Sequence, residues 1–253
     1  MKAIILSAGQ GRRLLPLTAE RPKSALAVLD RSLLEWQLAA IAQCAVDEVV
    51  VVTGFAAQVI DGIVAAQTAL PTRTLYNPFF AHCDNLGTCW IARHEMQGEF
   101  AIINGDTLFE AAVLERLLAH ASPAAVTLVT DSKAHYDDDD MKVIVRDGRL
   151  ERVSKQLPAA QVNGESIGMM AFRGDGARLF TTELEQMMRD GGGLKQWYLA
   201  AIDRLAARGV VTTCPIDGLG WCEVDNRADL DRAARLVATW QRRAPATRAH
   251  ARG

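Results

Sequence analysis

The chain has 253 residues, 49% of them apolar and 23% charged, with a formal net charge of -2. This length and composition suit one elaborated globular domain, and the balanced charge leaves no global basic field for nucleic acid. No apolar run approaches the ~20 residues of a membrane helix, so membrane insertion is not expected.

In chain order, Lys2 to Leu6 reads as a buried strand that begins without a cleavage pattern, so no signal peptide is expected. A small-residue loop, Ser7-Ala8-Gly9-Gln10-Gly11, follows it. Leu33 to Cys44 carries helical apolar spacing, and Glu48 to Thr53 (EVVVVT) is a second strand. Ala56 to Ala66 predicts a helix, Arg73 to Tyr76 a short strand, and Leu86 to Met96 a helix. Phe100 to Ile103 is a strong buried strand that ends in Asn104-Gly105-Asp106. Glu110 to His120 is helical and Ala125 to Thr130 is a strand. This alternation predicts an α/β fold with a right-handed, mostly parallel sheet flanked by helices.

The rhythm then changes. Met141 to Arg146 and Arg149 to Ser154 flank Asp147-Gly148, a type I′ hairpin signal. Ile167 to Phe172 is a further strand, and helices are expected near Ala177 to Met188 and Trp197 to Ala207. Val210 to Pro215 and Trp221 to Val224 are late strands, and Ala228 to Trp240 is a closing helix capped by Asn226. The whole predicts one domain over 1–240, with a lid or acceptor insertion at about 131–170. A disordered basic tail is expected over 241–253. The five cysteines form no C-x-x-C pair, so reduced thiols and a cytoplasmic location are expected.

Three groups of residues carry chemistry. Glycines after a strand let backbone amides approach a phosphate, although Gly-x-Gly alone fits a tight turn as well. The loop is no Walker A motif, and Leu14 replaces the third glycine of a dinucleotide fingerprint. Its continuation, Arg13-Leu14 and then Pro22-Lys23, places two cations around a loop that fits a polyphosphate. Asp106, at the carboxyl end of a central strand, is either a Mg²⁺ ligand or a turn cap. Glu223 and Asp225 share one face of a strand, so one of them can complete a metal site with Asp106. Alternatively, Asp225 is a charge at a helix N-terminus.

In this order the residues resemble the nucleotidyltransferase family that joins a nucleoside triphosphate to a phosphorylated small molecule. The signature positions are Leu6 to Leu14, Pro22-Lys23, Gly105-Asp106 and Asp225 in Trp-x-Glu-Val-Asp. Asn77-Pro78-Phe79-Phe80, Asp84 to Thr88, Asp139 to Val143, Ser154-Lys155 and Gly164 to Gly168 resemble the cytidylyltransferase branch. That branch includes phosphocholine, 2-aminoethylphosphonate and inositol-phosphate enzymes. Gly87-Thr88 also resembles the loop of sugar-1-phosphate uridylyl- and thymidylyltransferases.

The resemblance implies a Rossmann-like mixed sheet with a β-hairpin lid. It implies CTP, a small phosphate or phosphonate acceptor, Mg²⁺ and release of pyrophosphate. Lys23 and Arg13 would be catalytic. Ser7, Ala8, Gly9, Gly11, Arg12, Asn85, Thr88, Gly105 and Asp106 would bind the nucleotide. Asp106 and Asp225 would hold the metal, and Lys155, Glu165, Trp197 and Glu223 the acceptor. Alternatively, Lys155 and Glu165 form an exposed ion pair and Asp137 to Asp140 a solvated acidic loop. A homodimer is compatible with this reading. The alternatives are a sugar-1-phosphate uridylyl- or guanylyltransferase, and a catalytically silent nucleotide-binding module.

Overall fold

The computed structural model describes residues 1–243. Its strands are β1 (Lys2–Ser7), β2 (Ala27–Val28), β3 (Arg31–Ser32), β4 (Glu48–Thr53), β5 (Thr72–Tyr76), β6 (Phe100–Asn104), β7 (Thr107–Phe109), β8 (Val126–Asp131), β9 (Lys142–Arg146), β10 (Arg149–Ser154), β11 (Gly164–Phe172), β12 (Val211–Pro215) and β13 (Trp221–Glu223). The helices are α1 (Leu33–Ile41), α2 (Ala57–Ala65), α3 (Asn85–Ile91), α4 (Ala111–Ala119), α5 (Gly176–Arg189), α6 (Leu199–Ala206) and α7 (Arg227–Arg243).

Nine strands form one sheet in the order β5-β4-β1-β6-β11-β8-β12-β10-β9. β5, β4, β1 and β6 run parallel, and β8 pairs parallel with β12. Between these blocks β11 runs against both β6 and β8. The carboxyl ends of β1 and β6 therefore lie side by side, where open α/β sheets bind ligands.

Both sheet faces are covered, which is why β1 and β4 read as continuous apolar runs. Ile4, Val52, Phe100 and Ile102 face α3, α5 and α6, while Ala3, Ile5, Val49 and Val51 face α1, α2 and α4. On the first face an aromatic series leads from sheet to site. Phe100 stacks on Phe172 with centroids 4.5 Å apart, Phe172 meets Phe180 at 4.7 Å, and Phe180 meets Tyr198 edge-on at 6.5 Å.

A third apolar cluster joins the opening loop to the late strands. It contains Leu14, Leu26, Leu33, Leu108, Cys222, Val224 and Val237. Here β7 and β13 form a separate antiparallel ladder, with Thr107 opposite Glu223. This packing brings sequence-distant Arg13, Lys23, Asp106 and Asp225 to one place.

Some boundaries differ from expectation. α1 stops at Ile41 instead of Cys44, because the Gln43 and Cys44 N–H groups close the end through tighter turn hydrogen bonds to Ala40 and Ile41. Its start is set by a capping box, in which Ser32 Oγ accepts from the Glu35 N–H while the Glu35 carboxylate accepts from the Ser32 N–H. The β9–β10 hairpin turns at Asp147 and Gly148, both with positive φ, as type I′ requires. It pairs with β12 and with the start of β11, so it extends the sheet rather than hanging free of it. β11 itself is central, and its residues 164–170 belong to the core sheet. α7 continues through Arg243, so 241–243 are helical, and 244–253 lie outside the described residues. No helix among the described residues is long and apolar enough to cross a membrane.

Candidate active site

The opening loop and the β6–β7 turn enclose a cleft of about 200 Å³ lined by Ser7, Gly9, Gly11, Lys23, Asn85 and Asp106, among others. Two glycines make its shape possible. Gly11 has φ +77°, and a Cβ there would stand 2.8 Å from the Lys23 Cβ. Gly105 packs so tightly on β1 that a Cβ would stand 2.6 Å from the Leu6 carbonyl oxygen.

Lys23 sits at the centre. Its Nζ donates to Asp106 Oδ2 at 2.6 Å and to Asp225 Oδ1 at 2.7 Å. Burial pulls the ammonium pKa down, but the two carboxylates outweigh it and hold it well above the ordinary lysine value. Arg13 reaches the same acid from the rim, with Nη2 2.8 Å from Asp225 Oδ2. Its other arm, Nη1, donates to Asp139 Oδ2 at 2.7 Å. Asp139 in turn accepts from Lys155 Nζ at 3.2 Å, and Lys155 lies 4.5 Å over the Trp197 ring. Lys155 first and Arg13 second hold the Asp139 carboxyl below its ordinary pKa.

Asp106, Glu223 and Asp225 each offer a carboxylate oxygen within 4.8 Å of the others. Burial, and then the neighbouring Asp106 and Asp225 charges, push the Glu223 carboxyl well above its usual range. Asp106 Oδ1 is buried with no hydrogen-bond partner, and so are the Ser7 and Ser24 hydroxyls nearby. A buried carboxylate oxygen without a donor is costly unless something else meets it. Three hard oxygen donors and this free oxygen fit a small divalent cation such as Mg²⁺.

The turn carrying Asp106 is braced from several sides. Tyr198 Oη donates to Asn104 Oδ1 at 3.0 Å, and the Tyr198 N–H donates to Asn85 Oδ1 at 2.8 Å. Gln37 Nε2 donates to the carbonyls of Asn104 and Thr107, each at 2.8 Å.

Several residues singled out in the sequence stand elsewhere. Thr88 is buried, and its hydroxyl meets Asn77 Nδ2 at 3.1 Å instead of lining the cleft. Ala8 is buried, with its carbonyl accepting from the Phe55 N–H. Arg12 is exposed and outside the cleft lining. Lys155 and Glu165 do not pair with each other. Lys133 Nζ lies between Glu165 Oε2 at 2.9 Å and Asp140 Oδ1 at 2.7 Å. Burial pushes the Glu165 carboxyl up to about 7 despite Lys133. Glu223 stands with the metal-type acids and not apart from them. Sequence reasoning passed over Gln37 and gave Tyr198 no part in bracing the turn. Asp139 was singled out within the Asp139 to Val143 motif and the acidic Asp137–Asp140 run, but not as a partner of Arg13 and Lys155.

The chain is 28% identical over 242 residues to the CMP-5'-(3-aminopropyl)phosphonate synthase of Streptomyces rubellomurinus, covering 92% of this chain and 38% of that protein. It is 25% identical to the bifunctional IPC transferase and DIPP synthase of Aquifex aeolicus, over 93% of this chain and 51% of that one. The chain thus spans about half or less of the length of these relatives. Its fold matches the inositol-1-phosphate CTP transferase from T. maritima with a TM-score of 0.80, at 17% identity and 94% coverage of both chains. Residues 3–205 match the MobA-like NTP transferase domain, and the chain belongs to that family of nucleotidyltransferases.

Proposed function

We propose that the protein transfers CMP from CTP to a small phosphonate or phosphate-ester acceptor and releases pyrophosphate. The observation that carries this reading is Lys23 held between Asp106 and Asp225 at the end of a glycine-lined cleft. The backbone amides of Gly9 and Gly11, which line the cleft, and the Arg13 guanidinium suit the β- and γ-phosphates. Lys23, freed from its carboxylates, would neutralise charge growing on the α-phosphate. Asp106 and Asp225 would hold a divalent cation, whose chemistry is further neutralisation of charge developing in the transition state. The acceptor oxygen is already anionic at neutral pH, so no general base is required. What remains for the protein is positioning and electrostatics.

Two observations support a primary-amine acceptor over phosphocholine. Asp140 and Glu165 already hold one primary ammonium, that of Lys133. The Trp197 and Tyr136 faces are each taken by a lysine, which leaves them unavailable to a quaternary ammonium. The region from 131 to about 170 would then contribute the acceptor side of the site. The test is parallel kcat/KM measurement with 2-aminoethylphosphonate and phosphocholine, the products being followed by phosphorus NMR. A higher value for the aminophosphonate is expected, and an equal or higher value for phosphocholine would overturn the acceptor assignment.

A further inference from the structure

Gln37 lies in the middle of α1, within the apolar run LLEWQLAAI, and is fully buried. Its side-chain amide spends both N–H donors on two backbone carbonyls, Asn104 and Thr107, at 2.8 Å each. Those carbonyls bracket Gly105 and Asp106. The opposite amide orientation would turn Oε1 onto two carbonyl oxygens, so chemistry allows only this one. The orientation leaves Gln37 Oε1 buried without a partner. An apolar side chain would fill the same volume of α1 without that penalty. What the amide gains in return is a fixed width for the Asn104–Thr107 turn.

The rest of the turn is held without Gln37. Gly105 is pressed on Leu6, and the Asn104 side chain is tied to Tyr198. Neither contact fixes the distance between the two ends of the turn. Lys23 holds Asp106 Oδ2, the Val224 N–H donates to the Asp106 carbonyl, and Thr107 Oγ1 donates to the Ile167 carbonyl. Gln37 alone among the described side-chain contacts bonds both Asn104 and Thr107, and so sets the width of the turn from which the Asp106 carboxylate projects.

We infer that Gln37 is a positioning residue for Asp106, one that tunes cation affinity from the far side of the turn. The inference rests on the proposed role of Asp106 as a metal ligand. Its test is Mn²⁺ binding to the full chain without nucleotide, followed by the paramagnetic loss of the free-ion signal. Wild type, Gln37→Met and Gln37→Leu are compared, with Asp106→Asn as the control and thermal melts recorded without metal. Met keeps the length of the side chain and Leu keeps its apolar fit, and both remove the two donors.

The expected result is a cooperative melt in at least one of the two variants, with Mn²⁺ affinity weakened ~10-fold or more, as loss of outer-shell support to a ligand does. Unchanged affinity in a folded variant would overturn the inference. Loss of cooperative melting in both would assign Gln37 to the fold rather than the turn, and would overturn it equally. Failure of the wild-type protein to bind Mn²⁺ would remove the metal reading itself, and is told apart because it appears before any substitution at Gln37.

Discussion

Lys23 Nζ lies 2.6 Å from Asp106 Oδ2, so the ammonium proposed to act on the α-phosphate occupies the carboxylate proposed to hold the metal. The two cations compete for one acid. Lys23→Met is therefore expected to have opposite effects on two measurements. Turnover should fall by ~2–4 kcal/mol of barrier, the usual loss for a preorganised transition-state charge contact. Cation affinity without nucleotide should rise, because the competitor has gone. Isothermal titration with Mn²⁺ and steady-state kinetics check the pair, and unchanged turnover in a folded variant would sink the catalytic role.

Asp106→Ala and Asp225→Ala should each abolish cation-dependent turnover, and the double variant should be little worse than either. Two ligands of one ion act as a unit, so their losses do not add. If Asp225→Ala keeps normal activity and cation dependence, Asp225 is no more than a charge at the start of α7.

Asp139 bridges Arg13 and Lys155, the cations proposed for the phosphates of nucleotide and acceptor. A bound substrate must displace it. Asp139→Asn should lower KM for at least one substrate several-fold with little change in kcat. Its effect on stability should stay within ~1 kcal/mol, because both Asp139 and Arg13 are more than half exposed. A raised KM for both substrates would show instead that Asp139 helps to hold them.

Glu165 gives a pH signature. Its carboxyl is pushed up to about 7 by burial, above its ordinary 4.5. The folded protein therefore holds this proton more tightly than the unfolded chain does. The stability it contributes is complete below pH 4.5 and is lost as pH rises through 7. Glu165→Gln mimics the neutral form at every pH. The variant should melt near the wild-type temperature at pH 4.5. Above pH 8 it should melt about 2–4 °C higher, the shift that roughly 1 kcal/mol gives in a chain of this size. Parallel melts at the two pH values check this, and a constant difference between them would contradict it.

The fold was legible where burial leaves a strong pattern. β1, β4 and β6 are apolar on both faces and announce themselves, as does the Asp147-Gly148 turn. β7 was not legible, because three residues carry no periodicity and the strand exists only through its pairing with β13. The cations and acids of the site were visible as residue types, since Lys23, Asp106, Glu223 and Asp225 stand in short quoted patterns. Their grouping was not fully visible. Glu223 joins Asp106 only because β13 pairs with β7, which places Glu223 opposite Thr107. Nothing in the sequence marks Gln37 within its apolar helical run, and Asp139 reads as solvated charge. Both take their meaning from partners distant in the chain, which local patterns do not encode.

Pyrophosphate release in the presence of Mg²⁺ tests the central claim most directly, with each of the four nucleoside triphosphates offered with and without 2-aminoethylphosphonate, phosphocholine, inositol phosphate and hexose-1-phosphates. The account predicts release that requires CTP and a phosphonate or phosphate-ester acceptor together, greatest with the aminophosphonate. Release that requires UTP or GTP with a hexose-1-phosphate, or no acceptor-dependent release from any pair, would contradict it.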